Sequence, residues 1–250
     1  MRFSPTIFLN IKSQLSNEGY TIIPNIFTTD EINTIIEKIL ELDNSKPSFR
    51  KSGELFSIRR FLREVPGIEN LIFNDKLKLI ISHIFGEGYF VVKSIYFDKP
   101  ESSNWFVAYH QDLTISVDTK TTIKGYGPWT IKESRFYVQP PLDILEQIFT
   151  IRIHLDDTDE NNGALNVIPG SHLSGIRRSE AIRESIKNET ACKVRKGGIM
   201  IMRPLLLHAS KRSTNQNRRR VIHIEFCNRH LDGALEWSEK LELNLAKSTL

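Results

Sequence analysis

The chain has 250 residues, of which 40% are hydrophobic and 26% charged, with a formal net charge of +4. That apolar content supports one sizeable core, and a charged share near the roughly 25% of globular domains excludes bulk disorder. Two cysteines exclude a disulfide framework or a cysteine zinc site, no run approaches the ~18 apolar residues of a membrane span, and the mild basic excess suits an anionic small substrate or cosubstrate better than nucleic acid.

In chain order, Ile7, Ile11 and Leu15 recur at helical spacing and Gly19 stops the run. Tyr20 to Ile23 reads as a short strand ended by Pro24. Thr28, Thr29 or Asp30 can cap a helix whose apolar face is Ile32, Ile35, Ile36, Ile39 and Leu40. Asn74 or Asp75 can cap another, from about Lys76 to Phe85, closed by Gly86. From Tyr89 the pattern changes to strand-like runs: Tyr89 to Phe97, Trp105 to His110, Phe136 to Gln139, Phe149 to Leu155, Ala164 to Ile168, Cys192 to Arg195, Ile199 to Met202 and Val221 to Phe226. Turn pairs such as Asn162-Gly163, Pro169-Gly170 and Gly197-Gly198 separate them. Helical insertions are expected near Leu142 to Gln147 and Ser179 to Lys187. Many short strands punctuated by Gly and Pro point to a mainly β fold with flanking helices, a sandwich or jelly roll. One domain over 1–250 is expected, with helical support over about 1–88, a core over about 89–228 and a tail over 229–250. The N-terminus shows no apolar leader ending in a small-residue cleavage site, so a soluble, cytoplasmic protein is expected.

Divalent iron takes imidazole and carboxylate ligands, and two His with one carboxylate on one face leave positions open for a cosubstrate and oxygen. Residues two apart on a strand point the same way, so His-x-Asp supplies two of the three ligands economically. The chain contains that spacing three times, at His110/Asp112, His154/Asp156 and His230/Asp232. The last has too little chain after it to supply another strand and a second His. Periodicity leaves the first two evenly matched, although Asp156, Asp157 and Asp159 also read as a polar turn. His208 ends a buried-looking run, Arg203 to Leu207, and Arg219 opens the next strand. A hairpin would bring the two together across a ladder. An arginine there suits one end of a dicarboxylate, because its planar fork matches a carboxylate, and Ser210 could donate to the same group. Strand alternation would point Arg218 and Arg220 the other way. The alternative for Arg219 is a solvated surface position.

The chain resembles the phytanoyl-CoA hydroxylase-like family of Fe(II)/2-oxoglutarate dioxygenases. The resemblance is carried by Glu18-Gly19-Tyr20, His110-Gln111-Asp112, Asn161-Asn162-Gly163-Ala164-Leu165, Ile168-Pro169-Gly170-Ser171-His172, the run from Arg203 through His208 to Ser210, and Arg219. It implies a double-stranded β-helix (jelly-roll, cupin-like) core and the use of Fe(II), 2-oxoglutarate and O2. It implies His110, Asp112 and His208 as metal ligands, with Arg219 and Ser210 on the cosubstrate. It puts His154-Leu155-Asp156 on the strand entering the Asn-Gly turn, and His172 in a structural element near the site. Arg152 stands where some members carry an aromatic that touches 2-oxoglutarate, so it is expected to reinforce cosubstrate binding or to meet an anionic substrate; His154 shares its strand face.

The implied activity is hydroxylation of a C–H bond of a small molecule with release of succinate and CO2, and Asp112 favours hydroxylation over halogenation. Trp105, Gln111, Tyr126, Trp129, Tyr137, Gln139 and His154 are candidates for the substrate side, with ordinary packing as the alternative, and Gly125 to Trp129 reads as a loop over the site. Competing readings are a cupin-like metal isomerase or hydrolase with the same three ligands, and a metal-binding protein without turnover. No CoA-binding segment is recognisable, so the family's name does not fix the substrate.

Overall fold

Helix α1 (Pro5–Asn17) starts on a proline, whose missing N–H costs nothing in a first turn, and buries Phe8, Ile11 and Leu15. The computed structural model that shows this describes residues 3–42, 49–52, 55–100, 106–132, 135–177 and 186–243. After β1 (Tyr20–Ile23), helix α2 (Thr29–Leu40) opens with a reciprocal cap. Thr28 Oγ1 accepts from the Glu31 N–H at 3.2 Å, and Glu31 accepts from the Thr28 N–H at 2.7 Å. Ile32, Ile35 and Ile39 are buried, whereas Leu40, expected on that face, is 66% exposed because the helix ends there.

Strands β2 (Phe49–Ser52) and β3 (Leu55–Arg59) and the short helices α3 (Phe61–Glu64) and α4 (Ile68–Ile72) precede α5 (Asp75–Phe85), which Asn74 caps through the Leu77 N–H at 2.9 Å. Then follow β4 (Phe90–Lys99), β5 (Val107–His110), β6 (Ile115–Val117), β7 (Trp129–Lys132), β8 (Arg135–Val138), α6 (Leu142–Leu145), β9 (Phe149–His154) and β10 (Leu165–Val167). The chain closes with β11 (Thr190–Ala191), β12 (Ile199–Met202), β13 (His208–Ser210), β14 (Arg219–Cys227) and β15 (Leu241–Glu242).

Among the described residues these strands form three antiparallel sheets. The major sheet runs β1-β12-β9-β14-β4-β3-β2, with β15 also on β4; the second runs β11-β10-β13-β5; the third runs β6-β8-β7. Alternation sorts the faces of the major sheet. Phe149, Ile151 and Ile153 of β9, Ile222, Ile224 and Phe226 of β14, and Ile199 and Ile201 of β12 pack in one apolar cluster with Ile32, Ile35, Leu77 and Ile80 of the helices. On the opposite face Met200 and Met202 of β12 meet Leu165 and Val167 of β10. Two sheets facing each other, with helices outside, make the double-stranded β-helix. Both faces of β9 are buried, yet its residues alternate: Phe149, Ile151 and Ile153 face the helices, and Thr150, Arg152 and His154 face the interior between the sheets.

One expectation needs correction. Cys192 to Arg195 is not a strand but follows β11; the Cys192 N–H donates to the Leu165 carbonyl at 2.8 Å, and Val194 bridges Thr158. The helix expected near Ser179 to Lys187 falls on 178–185, outside the described residues, with a single 3-10 turn at Ile186–Asn188. The segment expected as a C-terminal tail after β14 is tied back to the sheets: Trp237 bridges Val117, and Glu239 accepts from the Ser94 N–H at 2.7 Å. No helix among the described residues is long and apolar enough to cross a membrane.

Candidate active site

His110 is the last residue of β5, and Asp112 lies beyond the strand, where its N–H donates to the Pro204 carbonyl at 2.9 Å. The two side chains are therefore not aligned by strand alternation, as the His-x-Asp spacing suggested. A turn anchored on the loop before β13 brings the carboxylate round instead. His208 opens β13 directly opposite His110. His110 Nε2 lies 3.8 Å from one Asp112 oxygen and His208 Nε2 3.7 Å from the other.

Both imidazoles direct Nδ1 to the carbonyl two residues back, His110 to Ala108 and His208 to Leu206, each at 2.9 Å. A carbonyl only accepts, so the proton sits on Nδ1 and Nε2 turns a lone pair toward Asp112. Burial, opposed by Asp112, holds the His208 pKa down to about 4, so its ring is neutral at pH 7. Burial pushes the Asp112 carboxyl up, but His208, His223, His110 and Lys93 outweigh it and hold it at about 2. Two imidazoles and a carboxylate with donor atoms within 4.8 Å of one another match the donor set of divalent iron.

Asp112, His223 and Glu225 also lie within 4.8 Å, yet their donor atoms are otherwise engaged. Arg152 donates through Nη1 to His223 Nδ1 at 3.0 Å. Because Arg only donates, His223 carries its proton on Nε2 and gives it to Glu225 at 3.0 Å. Glu225 takes a further bond from Lys93 at 2.8 Å. Burial pulls the Lys93 ammonium down, but Glu225 and Asp112 reverse this, leaving it raised. Register explains the chain: Arg152 and His223 are paired on β9 and β14, and Glu225 and Lys93 on β14 and β4. Sequence reasoning missed Lys93, His223 and Glu225. The available signal was three polar residues at alternate positions of otherwise apolar strands, with Arg219 on the same face of β14.

Arg219 is buried, and burial and then Arg152 bring its pKa down to about 9, still a cation at pH 7. Its Nη1 donates to the Gly163 carbonyl, the same oxygen that Ser210 reaches at 3.0 Å. Its Nε is buried without a partner among the described residues. Arg218 and Arg220 point the other way, onto Asp98 and Asp156. Strands β13 and β14 lie in different sheets, so no hairpin joins His208 to Arg219; Ser210 and Arg219 meet across the gap between sheets. Gly163 keeps that gap open. Its φ is +86°, and an added Cβ would sit 2.8 Å from Lys99 Nζ and 3.1 Å from the Lys211 carbonyl. Ser210 and Arg219 thus form a donor pair suited to a carboxylate, with Ser210 two residues along β13 from His208.

His154 lies on the Arg152 face of β9, buried, with Nδ1 2.8 Å from Thr158 Oγ1. Burial and the two arginines keep its pKa well below the ordinary value. Asp156 clasps Arg220 through both oxygens, so the second His-x-Asp is divided between faces and offers no joint site. His172 Nε2 lies 3.2 Å from the Ser16 carbonyl, tying the 3-10 turn Ser171–Ser174 to α1.

The substrate-side candidates scatter. Gln111 is engaged with the backbone: its amide donates to the Gly175 and Leu205 carbonyls at 2.8 and 2.7 Å and accepts from the Arg177 N–H at 2.8 Å. Trp129 opens β7 and packs against a second apolar cluster that holds Tyr126 and Val138. Tyr126 gives its hydroxyl to Asp232 at 3.1 Å. Tyr137 is buried and close enough to Lys93 to act on its charge. Gln139 uses its backbone to clamp Gly127, accepting at 2.9 Å. Trp105 lies outside the described residues.

Residues 15–221 match a family model described as phytanoyl-CoA dioxygenase (PhyH). A probable alpha-ketoglutarate-dependent hypophosphite dioxygenase of Stutzerimonas stutzeri is 27% identical over 184 residues, covering 68% of this chain and 55% of that protein. The chain therefore spans about half the length of the curated relative it matches. The crystal structure of HygX from Streptomyces hygroscopicus with nickel and 2-oxoglutarate bound superposes with a TM-score of 0.64 at 13% identity, over 93% of this chain and 92% of that one. The non-heme alpha ketoglutarate dependent carbocyclase SnoK from nogalamycin biosynthesis gives 0.67 at 17% identity, over 98% and 95%. At such identities the likeness establishes the fold.

Proposed function

The chain belongs to the phytanoyl-CoA dioxygenase family, and from that premise we propose that it is an Fe(II)- and 2-oxoglutarate-dependent oxygenase that hydroxylates a C–H bond of a small molecule. The observation that carries this is the pair of histidines locked by Nδ1 onto backbone carbonyls, so that both Nε2 lone pairs converge on Asp112. His110, Asp112 and His208 would hold the iron; Arg219 and Ser210 would take the far carboxylate of 2-oxoglutarate. When bound, iron, 2-oxoglutarate and O2 supply the oxidising power, with succinate and CO2 as coproducts.

The chain's own part is geometric and electrostatic. Backbone carbonyls at Ala108 and Leu206 fix which ring nitrogen faces the metal, which a free histidine would leave to chance. Arg219 and Ser210 would bind the far carboxylate of the diacid and so orient it. The apolar wall of Val167, Met200 and Leu206 keeps bulk water from that side. His110, 40% exposed, marks the open side by which a substrate enters.

A cupin-like isomerase or hydrolase would use the same three ligands but has no need of a buried arginine paired with a serine. Phosphorus–hydrogen oxidation is the second reading, favoured by the hypophosphite relative. The test is anaerobic titration with Fe(II) and 2-oxoglutarate, then succinate release in the presence of candidate small molecules, hypophosphite included. Failure to bind 2-oxoglutarate in the iron-loaded protein overturns the proposal.

A further inference from the structure

Arg152 is 8% exposed, on the interior face of β9. Its cross-strand neighbours are His223 on β14 and Met200 on β12, and its same-face neighbours along the strand are Thr150 and His154. None of these carries a negative charge. Its Nη1 is held by His223 Nδ1 at 3.0 Å, while its Nε is buried and without a partner among the described residues. A buried guanidinium without an acid is costly, and buried charges are found paired.

On the oxygenase reading above, the charges of metal and cosubstrate would pair off one by one without Arg152. The iron dication would be matched by Asp112 and the near carboxylate of 2-oxoglutarate, and Arg219 by the far carboxylate. Lys93 is matched by Glu225, at 2.8 Å. Arg152 is left with its positive charge, beside the metal ligands, where Asp112 acts on it.

The chain of hydrogen bonds behind it has one direction. Lys93 fixes Glu225, Glu225 accepts from His223 Nε2, and His223 Nδ1 in turn accepts from Arg152. Each group immobilises the next, so the guanidinium is held from one side with its remaining donors uncommitted. A long apolar acyl chain would gain nothing from such a group; a compact anion would complete its pairing.

We propose that Arg152, braced by His223, Glu225 and Lys93, is the substrate-recognition group of this site, and that the primary substrate is a small anion, a carboxylate or another oxoanion, bound beside the metal. Arg152 is then a specificity residue for the substrate, and the cosubstrate depends on Arg219.

The test uses the full chain loaded with zinc and saturated with N-oxalylglycine, a non-reacting analogue of 2-oxoglutarate that occupies the metal and Arg219. Acetate and inorganic phosphate are titrated as anionic probes, with acetamide as the neutral control, and binding is read by calorimetry and by the shift in Tm. The expected result is binding of at least one anion and none of acetamide, weakened about tenfold to a hundredfold in Arg152→Gln and less in Arg152→Lys, which keeps the charge but loses the fork. The N-oxalylglycine titration, run first on each variant, reports both folding and the cosubstrate site. If N-oxalylglycine does not bind the wild-type chain, the oxygenase reading fails. If it binds and no anion follows, or if anion affinity is the same in Arg152→Gln, the substrate proposal is overturned. A variant that loses N-oxalylglycine while keeping the anion probe would assign Arg152 to the cosubstrate and equally overturn it.

Discussion

At the residue scale, orientation of single atoms decides the chemistry. A histidine with Nδ1 on a carbonyl has one lone pair to offer, and its direction is known; His110 and His208 satisfy this, whereas His223 has both nitrogens engaged. Arg219 is comparable: its place between Gly163 and Ser210 suits a bidentate acceptor. Arg219→Gln is expected to weaken 2-oxoglutarate binding about tenfold to a hundredfold, with iron affinity retained, as titration of each ligand in turn would show. Equal loss of both would mean that the substitution disturbs the fold instead. Arg219→Lys should not rescue, since a point charge does not reproduce the planar fork. The arginine was legible in sequence because it opens a strand with two flanking arginines that alternation sends elsewhere, and Asp98 and Asp156 receive those two.

At the element scale, short pieces of chain carry the site. Strand β13 has three residues and β5 four, too few for a periodic pattern to announce them. Their register, His208 opposite His110, comes from pairing across a large sequence gap. Gln111, between two proposed ligands, links these pieces by bonding Leu205 on one side and Gly175 and Arg177 on the other. Gln111→Ala leaves those buried backbone groups unsatisfied and is expected to cost about 1–3 kcal/mol of stability, measured by urea unfolding. A direct substrate role would instead lower activity with stability unchanged. In the loop 125–129, Tyr126 is buried in the second apolar cluster and Trp129 packs against it.

At the scale of the whole molecule, the major sheet separates stability from chemistry by its two faces. Phe149 and Phe226 stack with centroids 5.1 Å apart under the helices, while Arg152 and Glu225 lie on the other face. Phe149→Ala is expected to destabilise by about 3–5 kcal/mol, seen as a fall in Tm, with Fe(II) affinity of the folded protein retained at low temperature. Lost metal binding without lost stability would contradict that division. Buried histidines give a pH signature as well. In the unfolded chain His154 and His208 take up protons near about 6.5; in the folded chain burial keeps His154 far below that and His208 at about 4. The unfolded state therefore binds more protons below about 6.5, and stability must fall with falling pH. Thermal melts of metal-free protein from pH 7 to pH 5 should show a declining Tm, and a flat or rising one would count against neutral buried rings.

The residues themselves determined the class of fold, through the shift from helical to strand periodicity near Tyr89 and the glycine-punctuated turns, and they determined the candidate donors, because few side-chain types suit divalent iron or a diacid. Position in sequence left open which His-x-Asp lies with His208, how Asp112 reaches the two histidines, and that β13 and β14 lie in different sheets. It also left hidden the line of Arg152, His223, Glu225 and Lys93 across three strands. Those depend on pairing between segments far apart in the chain, where register is set by burial of whole faces and no local pattern encodes it.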